Sequence, residues 1–510
     1  MQEAAPGFWG VLRRPFVLDL RALALLRVAT AAVLLLDLAI RSTDLEAHYS
    51  NLGVLPLAAL LDHAWSPYQV SLHAASGLWQ AQALLFAAAA GLAGALLLGY
   101  HTRLATLGSW LLLVSVQNRN PFVGQGGDDL LRMLLFWGLF LPWGRVWAWD
   151  ARARPAPARY GYFSAATVAY VVQLALLYWC TALLKNGPEW TRDGTALYYA
   201  FSLDQVLLPL GRLLYPHPGL LRGLTFGTYY LELLLPFALF LPVGVARWRL
   251  LVVGVLLGFQ VGIGLTLYVG LFFVVNMASL LGLLPAVAVE WLARRGAPHA
   301  ARVRAWQPRL PAWRMPWRVR IERTAPASAG SRRLLRAVGN TVVAVVLAYV
   351  CWWNLDDVAV LRPAGGLLPA PGRWFGLLFR VDQHWGMFAP AVFKDDGWYI
   401  LEGTVAADGR RLDLNRGGAP VTYAKPAAVV ALFKNDRWRK YSENYLFVNN
   451  AWLRPYYCNY LLRIWHENPA HPPLRHLSVV YMKEVSLPDY RVSKPVREVL
   501  CDCDAAPSEE

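Results

Sequence analysis

The stretch SAATVAYVVQLALLYWCTALLK, residues 164–185, decides the fold. It carries no charge until its last residue, Lys185, and Asn186, Gly187 and Pro188 then stop it. A bilayer core needs about 20 mostly apolar residues per helix, so the stretch reads as a membrane span with one cation at its end. Working outward, runs of similar character recur at 22–40, 79–99, 103–117, 129–147, 223–243, 248–266, 269–289 and 335–354, about nine spans in all. Residues 1–20 lack the apolar centre of a signal peptide, so the first span is expected to be retained.

The composition agrees. Hydrophobic residues make up 56% of the 510 and charged residues 16%, with mean hydropathy +0.34. Soluble domains carry about 25% charged residues, so an ordinary cytosolic enzyme, a collagen and a disordered chain are excluded. Five scattered cysteines without a CxxC pair exclude a disulfide scaffold and give no zinc site. No P-loop, GxSxG, HExxH or EF-hand loop is present, and no metal is expected. No inverted repeat with paired broken helices points to a transporter.

Arginine placement orients the chain. With a cytoplasmic N-terminus, the inner segments are 1–21, 100–103, 145–163, 244–249 and 290–334, the last holding eleven arginines from Arg294 to Arg333. The outer segments are 41–78, 118–128, 186–222 and the tail. The net charge of +16 is therefore chiefly a topological signal. Trp306, Trp313 and Trp317 among those arginines suit the membrane interface, and anionic-lipid binding is the sharper reading; nucleic-acid binding is not expected.

After 357 the chain changes character. WYILEGTVAADGRRLDL (398–414) alternates about Asp408-Gly409, a hairpin signal. Residues 474–487 read as another strand, and 436–447 and 450–467 as amphipathic helices, the second interrupted by Pro455. Cys458, Cys501 and Cys503 lie here; an oxidising compartment would allow one disulfide and leave one thiol over. HWGMFAP (384–390) suits packing on the membrane face. The expected architecture is an all-α polytopic membrane bundle with a small C-terminal α+β extracytoplasmic domain. Its parts are a transmembrane domain over 1–290 with eight spans, a basic cytoplasmic loop over 291–334, a ninth transmembrane helix over 335–356 and the outer domain over 357–510.

Polar groups at bilayer depth are costly and mark candidate sites. Lys185 reads either as a lysine snorkelling to the interface or as a partly desolvated amine, available as a base because burial favours the neutral form. Glu189 and Trp190 follow it. Glu232 in YYLELLLP must be protonated or paired, with Lys185 or Arg132 as partner. Asp128 and Asp129 open a helix whose dipole favours them, and Arg132 can pair with either. Arg119 and Asn120 lie on the same side. Gln173, about 18 Å up the helix from Lys185, and Gln260 can hydrogen-bond inside the bundle, and the role of Asp37 is open. Gly91 and Ala95 form a small-xxx-small pair, a weak sign of close helix packing.

At this point the chain resembles the HTTM (horizontally transferred transmembrane) family, which includes the vitamin K-dependent gamma-carboxylases. The resemblance covers roughly 20–290. It rests on NxGVLP (51–56), NxNP…GGDDLLR (118–132), Gln173…Tyr178…ALLK (182–185) with Trp190, and Gly258-Phe259-Gln260 with YVGLF (268–272). WGMFAP and the hairpin of the tail are similar to bacterial members. The resemblance implies Lys185 as the base acting on reduced vitamin K or another quinone, with an exported peptide or protein as substrate. It also implies a place in the cell inner (plasma) membrane, multi-pass, and carboxylase-like lyase chemistry. It makes Arg119, Asn120, Asp128, Asp129, Arg132, Gln173, Glu189, Trp190, Glu232 and Gln260 the candidate pocket. The carboxylases carry histidines where this chain has Arg119-Asn120 and Gln260, and an amide cannot shuttle a proton as imidazole does. A non-enzymatic membrane module, binding lipid or an exported partner through its outer domain, is the other reading.

Overall fold

The structure, a computed structural model, describes residues 7–295, 329–358 and 366–505. Among them six helices are long and apolar enough to cross a membrane. They are α1 (Leu20–Ser42), α2 (Trp79–Leu98), α5 (Ala165–Leu184), α6 (Pro218–Leu234, prolonged to Phe240 as a 3-10 helix), α7 (Val245–Thr266) and the Arg333–Asp357 part of α9 (Ala329–Asp357). Two shorter helices, α3 (Thr102–Arg119) and α4 (Gly126–Gly138), complete the centre, with α8 (Phe272–Leu280) beside them.

The expected nine spans are thus not met as nine long apolar helices. The 103–117 run folds as α3, whose buried face includes Thr106, Ser109, Ser115 and Gln117 while Leu104, Leu107 and Leu111 are exposed, and its composition is too polar overall for the long apolar class. The 129–147 run falls in α4, a helix of only 13 residues that ends at Gly138, about 20 Å against a core of about 30 Å; Pro142 lies beyond its end, and nearly every side chain of α4 is covered. The 269–289 run breaks before Pro285 into two helices, Phe272–Leu283 and Ala286–Arg295, bent by 108°, since proline removes a backbone donor. Counting that bent pair, the number is seven. The basic loop, including Trp306, Trp313 and Trp317, lies outside the described residues apart from its ends.

The small-xxx-small expectation on α2 fails as well. A Cβ at Gly91 would meet nothing within 4 Å. The close approach is at the helix end, where Gly99 (φ +69) closes the last turn and a Cβ would strike Arg27. Arg27 is fully buried and donates to the Leu96 carbonyl (2.9 Å) and the Trp147 carbonyl (2.6 Å).

The C-terminal part is a five-stranded antiparallel sheet with two helices. In chain order the strands are β1 (Asp395–Val405), β2 (Arg411–Asp413), β3 (Ala419–Pro420), β4 (Leu474–Val485) and β5 (Val496–Asp504), and they lie in the order β3-β2-β1-β4-β5. The Asp408-Gly409 hairpin forms, with Gly409 at φ +71. β1 does not stay alternately exposed: one face packs with Tyr441, Tyr445 and Leu461, and the other with Val429, Val480 and Met482. Helix α10 (Asp436–Leu446) follows the expected range; α11 (Arg454–His466) starts at Pro455 rather than being interrupted by it, since proline suits a first turn. Cys458 of α11 bonds Cys503 of β5, and Cys501 is free.

The loops sort into two ends. At one end Arg249 donates to the Pro15 and Val17 carbonyls, Leu20 N–H to Tyr160 O, and the Thr102 hydroxyl to Asp150. At the other, the C-terminal sheet and helices meet the 43–57, 118–126 and 185–207 segments: Lys434 binds Asp44, Arg437 the Val123 carbonyl, and Asp396 accepts from Gln205.

Candidate functional site

Helix α5 ends at Leu184 because Asn186-Gly187-Pro188 cannot extend it, and Lys185 caps it at φ −77, ψ 58. That turn folds the Lys185 side chain inward: it is 2% exposed, with Nζ 2.5 Å from Glu232 Oε2 of α6 and 4.6 Å from the centroid of the Trp190 ring. Glu232 is 3% exposed. The pair is therefore desolvated on both sides, with one aromatic face completing the cation's surroundings.

The segment after α9 seals this corner. Trp190 Nε1 donates to the Phe388 carbonyl (2.8 Å), and Gly187 N–H to the Pro390 carbonyl (3.0 Å). A Cβ at Gly187 would lie 2.7 Å from that oxygen, so only glycine allows the approach. Glu189, 7% exposed, pairs through Oε1 with Lys394 (3.1 Å), while its Oε2 is buried with no hydrogen-bond partner. HWGMFAP is thus a buried seal at Trp385 and a backbone acceptor strip at Phe388 and Pro390, in keeping with its expected packing role.

The other candidates do not join Lys185. Gln260 donates to the Tyr178 hydroxyl (3.3 Å) and leaves its own Oε1 unpartnered. Gln173 accepts from Trp137 Nε1 (3.1 Å) and donates to Gln383 (2.7 Å), tying the post-α9 segment into the bundle. Arg119 donates to the Leu55 and Ser50 carbonyls, and Asn120 to the His48 carbonyl. Both are spent on pinning the 48–55 loop, because a buried turn leaves carbonyls that need donors. Arg132 pairs with Asp129 (3.1 Å) and donates to Gln117 and to the Asp382 carbonyl. Glu232 takes Lys185, not Arg132.

Asp128 belongs to a separate assembly. Its carboxylate receives Arg41 (2.6 Å) and Arg437 (2.5 and 2.9 Å), and Asp37 receives the same two arginines (2.8 and 2.6 Å). All four are at most 4% exposed. Arg437 comes from α10, so the C-terminal domain inserts a guanidinium between two helices of the bundle. Two acids and two bases close this set, and the bidentate geometry is the strong form of the interaction.

No protein-family profile, curated protein or solved structure matches this chain. The site must therefore be read from its own chemistry.

A third polar assembly joins the sheet to the 203–207 segment. Oxygen atoms of Asp204, Asp396 and Glu484 lie within 4.8 Å of one another. Lys425 supplies the positive charge there, 2.6 Å from Asp204 and bonded to Glu484. Burial raises the Asp396 carboxyl to about 6 against the N–H donors of Asp204 and Gly397, which pull it down. Sequence reasoning missed Arg437, Lys394, Gln383 and this trio. Asp37 and Arg41, four apart on α1, were the one local signal of a buried pair.

Proposed function

We propose that this is an integral-membrane protein of carboxylase-like architecture in which Lys185 accepts a proton from a lipid-soluble hydroquinone, in the manner of the HTTM family that the sequence resembles. The observation that carries the reading is the Lys185–Glu232 pair, dry and capped by Trp190 at the domain-covered end of the bundle. Two opposite charges in a dry site are expensive. Moving the proton from Nζ to Glu232 Oε2 removes both charges and leaves a neutral amine as base. The buried Oε2 of Glu189, which lacks a donor, fits a hydroxyl-bearing ligand beside Trp190. A bound reduced quinone would supply, with oxygen, the strong base needed to take a proton from carbon. The chain's part is to hold the amine, take the proton at Nζ and keep water out with the 385–390 segment.

The topology read from arginines completes this proposal: N-terminus cytoplasmic, C-terminal domain extracytoplasmic, in the cell inner (plasma) membrane. It is supported by the sorting of loops into two ends, which groups the expected inner segments together and the expected outer segments against the C-terminal domain. On this reading α3 and α4 also pass from one end to the other, α4 enclosed by protein and α3 with Leu104, Leu107 and Leu111 exposed, which with the bent pair counted once gives nine passes. The Cys458–Cys503 bond suits an oxidising outer compartment.

The non-enzymatic reading, a module that binds lipid or an exported partner, is favoured by one observation: Arg119, Asn120 and Gln260 offer no titrating group. The experiment is turnover of the purified chain in a bilayer with reduced vitamin K, bicarbonate and a glutamate-rich peptide. Epoxide with carboxylated peptide, lost in Lys185→Met, supports the enzyme reading. No product with vitamin K or with other hydroquinones overturns it.

A further inference from the structure

A cavity of about 210 Å³ lies at the last turn of α9, away from the Lys185 pair, and is walled by Asp129, Trp353, Asp356, Asp357, Arg373, Asp382 and His384 among others. Its charges come as neighbours of opposite sign. His384 Nδ1 meets Asp357 at 2.8 Å, Arg373 meets Asp356, and Arg132 and Arg380 reach from behind to Asp129 (3.1 Å) and Asp382 (3.2 Å). Four carboxylates against three guanidiniums and one imidazole leave the wall nearly neutral but strongly dipolar. A divalent cation would need several of these carboxylate oxygens within ligand distance of one another. Among the described residues only the Asp204, Asp396 and Glu484 trio achieves that. A ligand of net charge gains little from a balanced wall. A zwitterion gains at both ends, since each pole finds an opposite partner.

Position selects the source. Trp353, Asp356 and Asp357 end the membrane-crossing part of α9, and most of the apolar surface of that helix is exposed rather than packed. Lipid therefore lines α9 up to the mouth of the cavity, where headgroups stand. The His384 side chain is 67% exposed and that of Arg373 37%, so the cationic wall is the outer one, within reach of a phosphate. The Asp382 side chain is less exposed, at 22%, and its Oδ1 already meets Arg380 at 3.2 Å, so an ammonium would share that carboxylate with the guanidinium. Trp353 adds an aromatic wall that carries the Arg373 guanidinium 5.3 Å from its ring centroid, which holds that cation at the cavity.

We propose that this cavity is a binding site for the zwitterionic headgroup of a phospholipid, its amine directed to the Asp357–Asp382 wall and its phosphate to Arg373 and His384. The site does not depend on Lys185 and stands if the hydroquinone reading fails.

The test uses the full chain in mixed-lipid nanodiscs and then in detergent, with retained lipid weighed by native mass spectrometry. Phosphatidylethanolamine should stay bound at one per chain, and phosphatidylglycerol at least tenfold less. Arg373→Gln and Asp357→Asn should each lower retention of phosphatidylethanolamine about tenfold at a temperature where the variants remain folded. Soluble phosphoethanolamine that fails to displace the lipid supports the membrane source; displacement at micromolar concentration would assign the site to a soluble zwitterion and overturn the lipid claim. Should the variants not fold, an ethanolamine-headgroup photoprobe on the unaltered chain keeps the question open to decision. Crosslinks within 349–357 or 381–384 support the site, and crosslinks confined elsewhere overturn it. Equal retention of phosphatidylglycerol, or retention insensitive to both substitutions, also overturns it.

Discussion

Arg437→Met is the perturbation that most sharply tests how the two parts of the molecule hold together. The Arg437 guanidinium bonds Asp37 (2.6 Å), Asp128 (2.5 and 2.9 Å) and the Val123 carbonyl (2.8 Å). Removing it leaves two buried carboxylates facing Arg41 alone. An uncompensated charge in such a site costs about 3–5 kcal/mol, and the orphaned carbonyl adds about 1 kcal/mol. At about 1.4 kcal/mol per decade, the equilibrium between docked and released α10 shifts by at least ~100-fold. Adding Asp37→Leu removes one charge of the opposite sign and leaves the Arg41–Asp128 pair, with Tyr49 still accepting from Arg41 (2.8 Å). The double variant should recover most of the loss, because a balanced apolar replacement of a buried pair is nearly neutral. Amide hydrogen exchange across Asp436–Leu446 in detergent reads the docked fraction directly. Protection in the single variant equal to that of the parent, or a double variant no better than the single, would refute the reasoning.

Three further outcomes are expected. Glu232→Gln leaves the Lys185 ammonium buried without a counter-charge, so its melting temperature should fall below that of the Lys185→Met/Glu232→Gln double variant; thermal unfolding of both in one detergent decides it. Asp396, held near 6 against a usual 3.8, has a raised folded-state value, so its ionised form is a cost carried above pH 6 and relieved as pH falls from 6 toward 4. The difference is roughly 3 kcal/mol; a melting curve between pH 7 and 5 should rise, and Asp396→Asn should flatten it. Reducing Cys458–Cys503, which closes a loop of sequence separation 45, removes about 4 kcal/mol of chain-entropy stabilisation. Denaturant titration of the whole chain with and without reductant should show the sheet-bearing region lost first.

How much was legible follows the range of the forces involved. The long apolar runs of α1, α2, α5, α7 and α9 were plain because bilayer burial is written into local composition. The Asp408-Gly409 turn was plain because it is a local backbone demand. The 103–117 and 129–147 runs read like the other spans, but α3 has a polar buried face and α4 is a 13-residue helix enclosed by protein, features that average hydropathy does not separate. Lys185 was singled out correctly as a buried group with Glu232 among its candidate partners, because a helix end and a mid-helix carboxylate are both visible in the letters. The anchoring of the 48–55 loop by Arg119 and Asn120 was not legible, because their partners are backbone carbonyls of another loop, which no side-chain pattern announces. Arg437 was invisible: its partners lie 400 and 309 residues away, and on α10 it reads as one more surface arginine. Cys458 and Cys503 could be counted as a candidate pair, but only the β4–β5 ladder against α11 selects Cys503 over Cys501.

The central claim, that the Lys185 amine draws a proton from a hydroquinone hydroxyl, is tested most directly by optical titration without oxygen. A naphthohydroquinone is added to the reconstituted chain at neutral pH, and its ionised and neutral forms are told apart by ultraviolet absorbance. The bound compound should be ionised with the parent chain and neutral with Lys185→Met. Binding with no ionisation in either, or identical ionisation in both, would contradict the assignment.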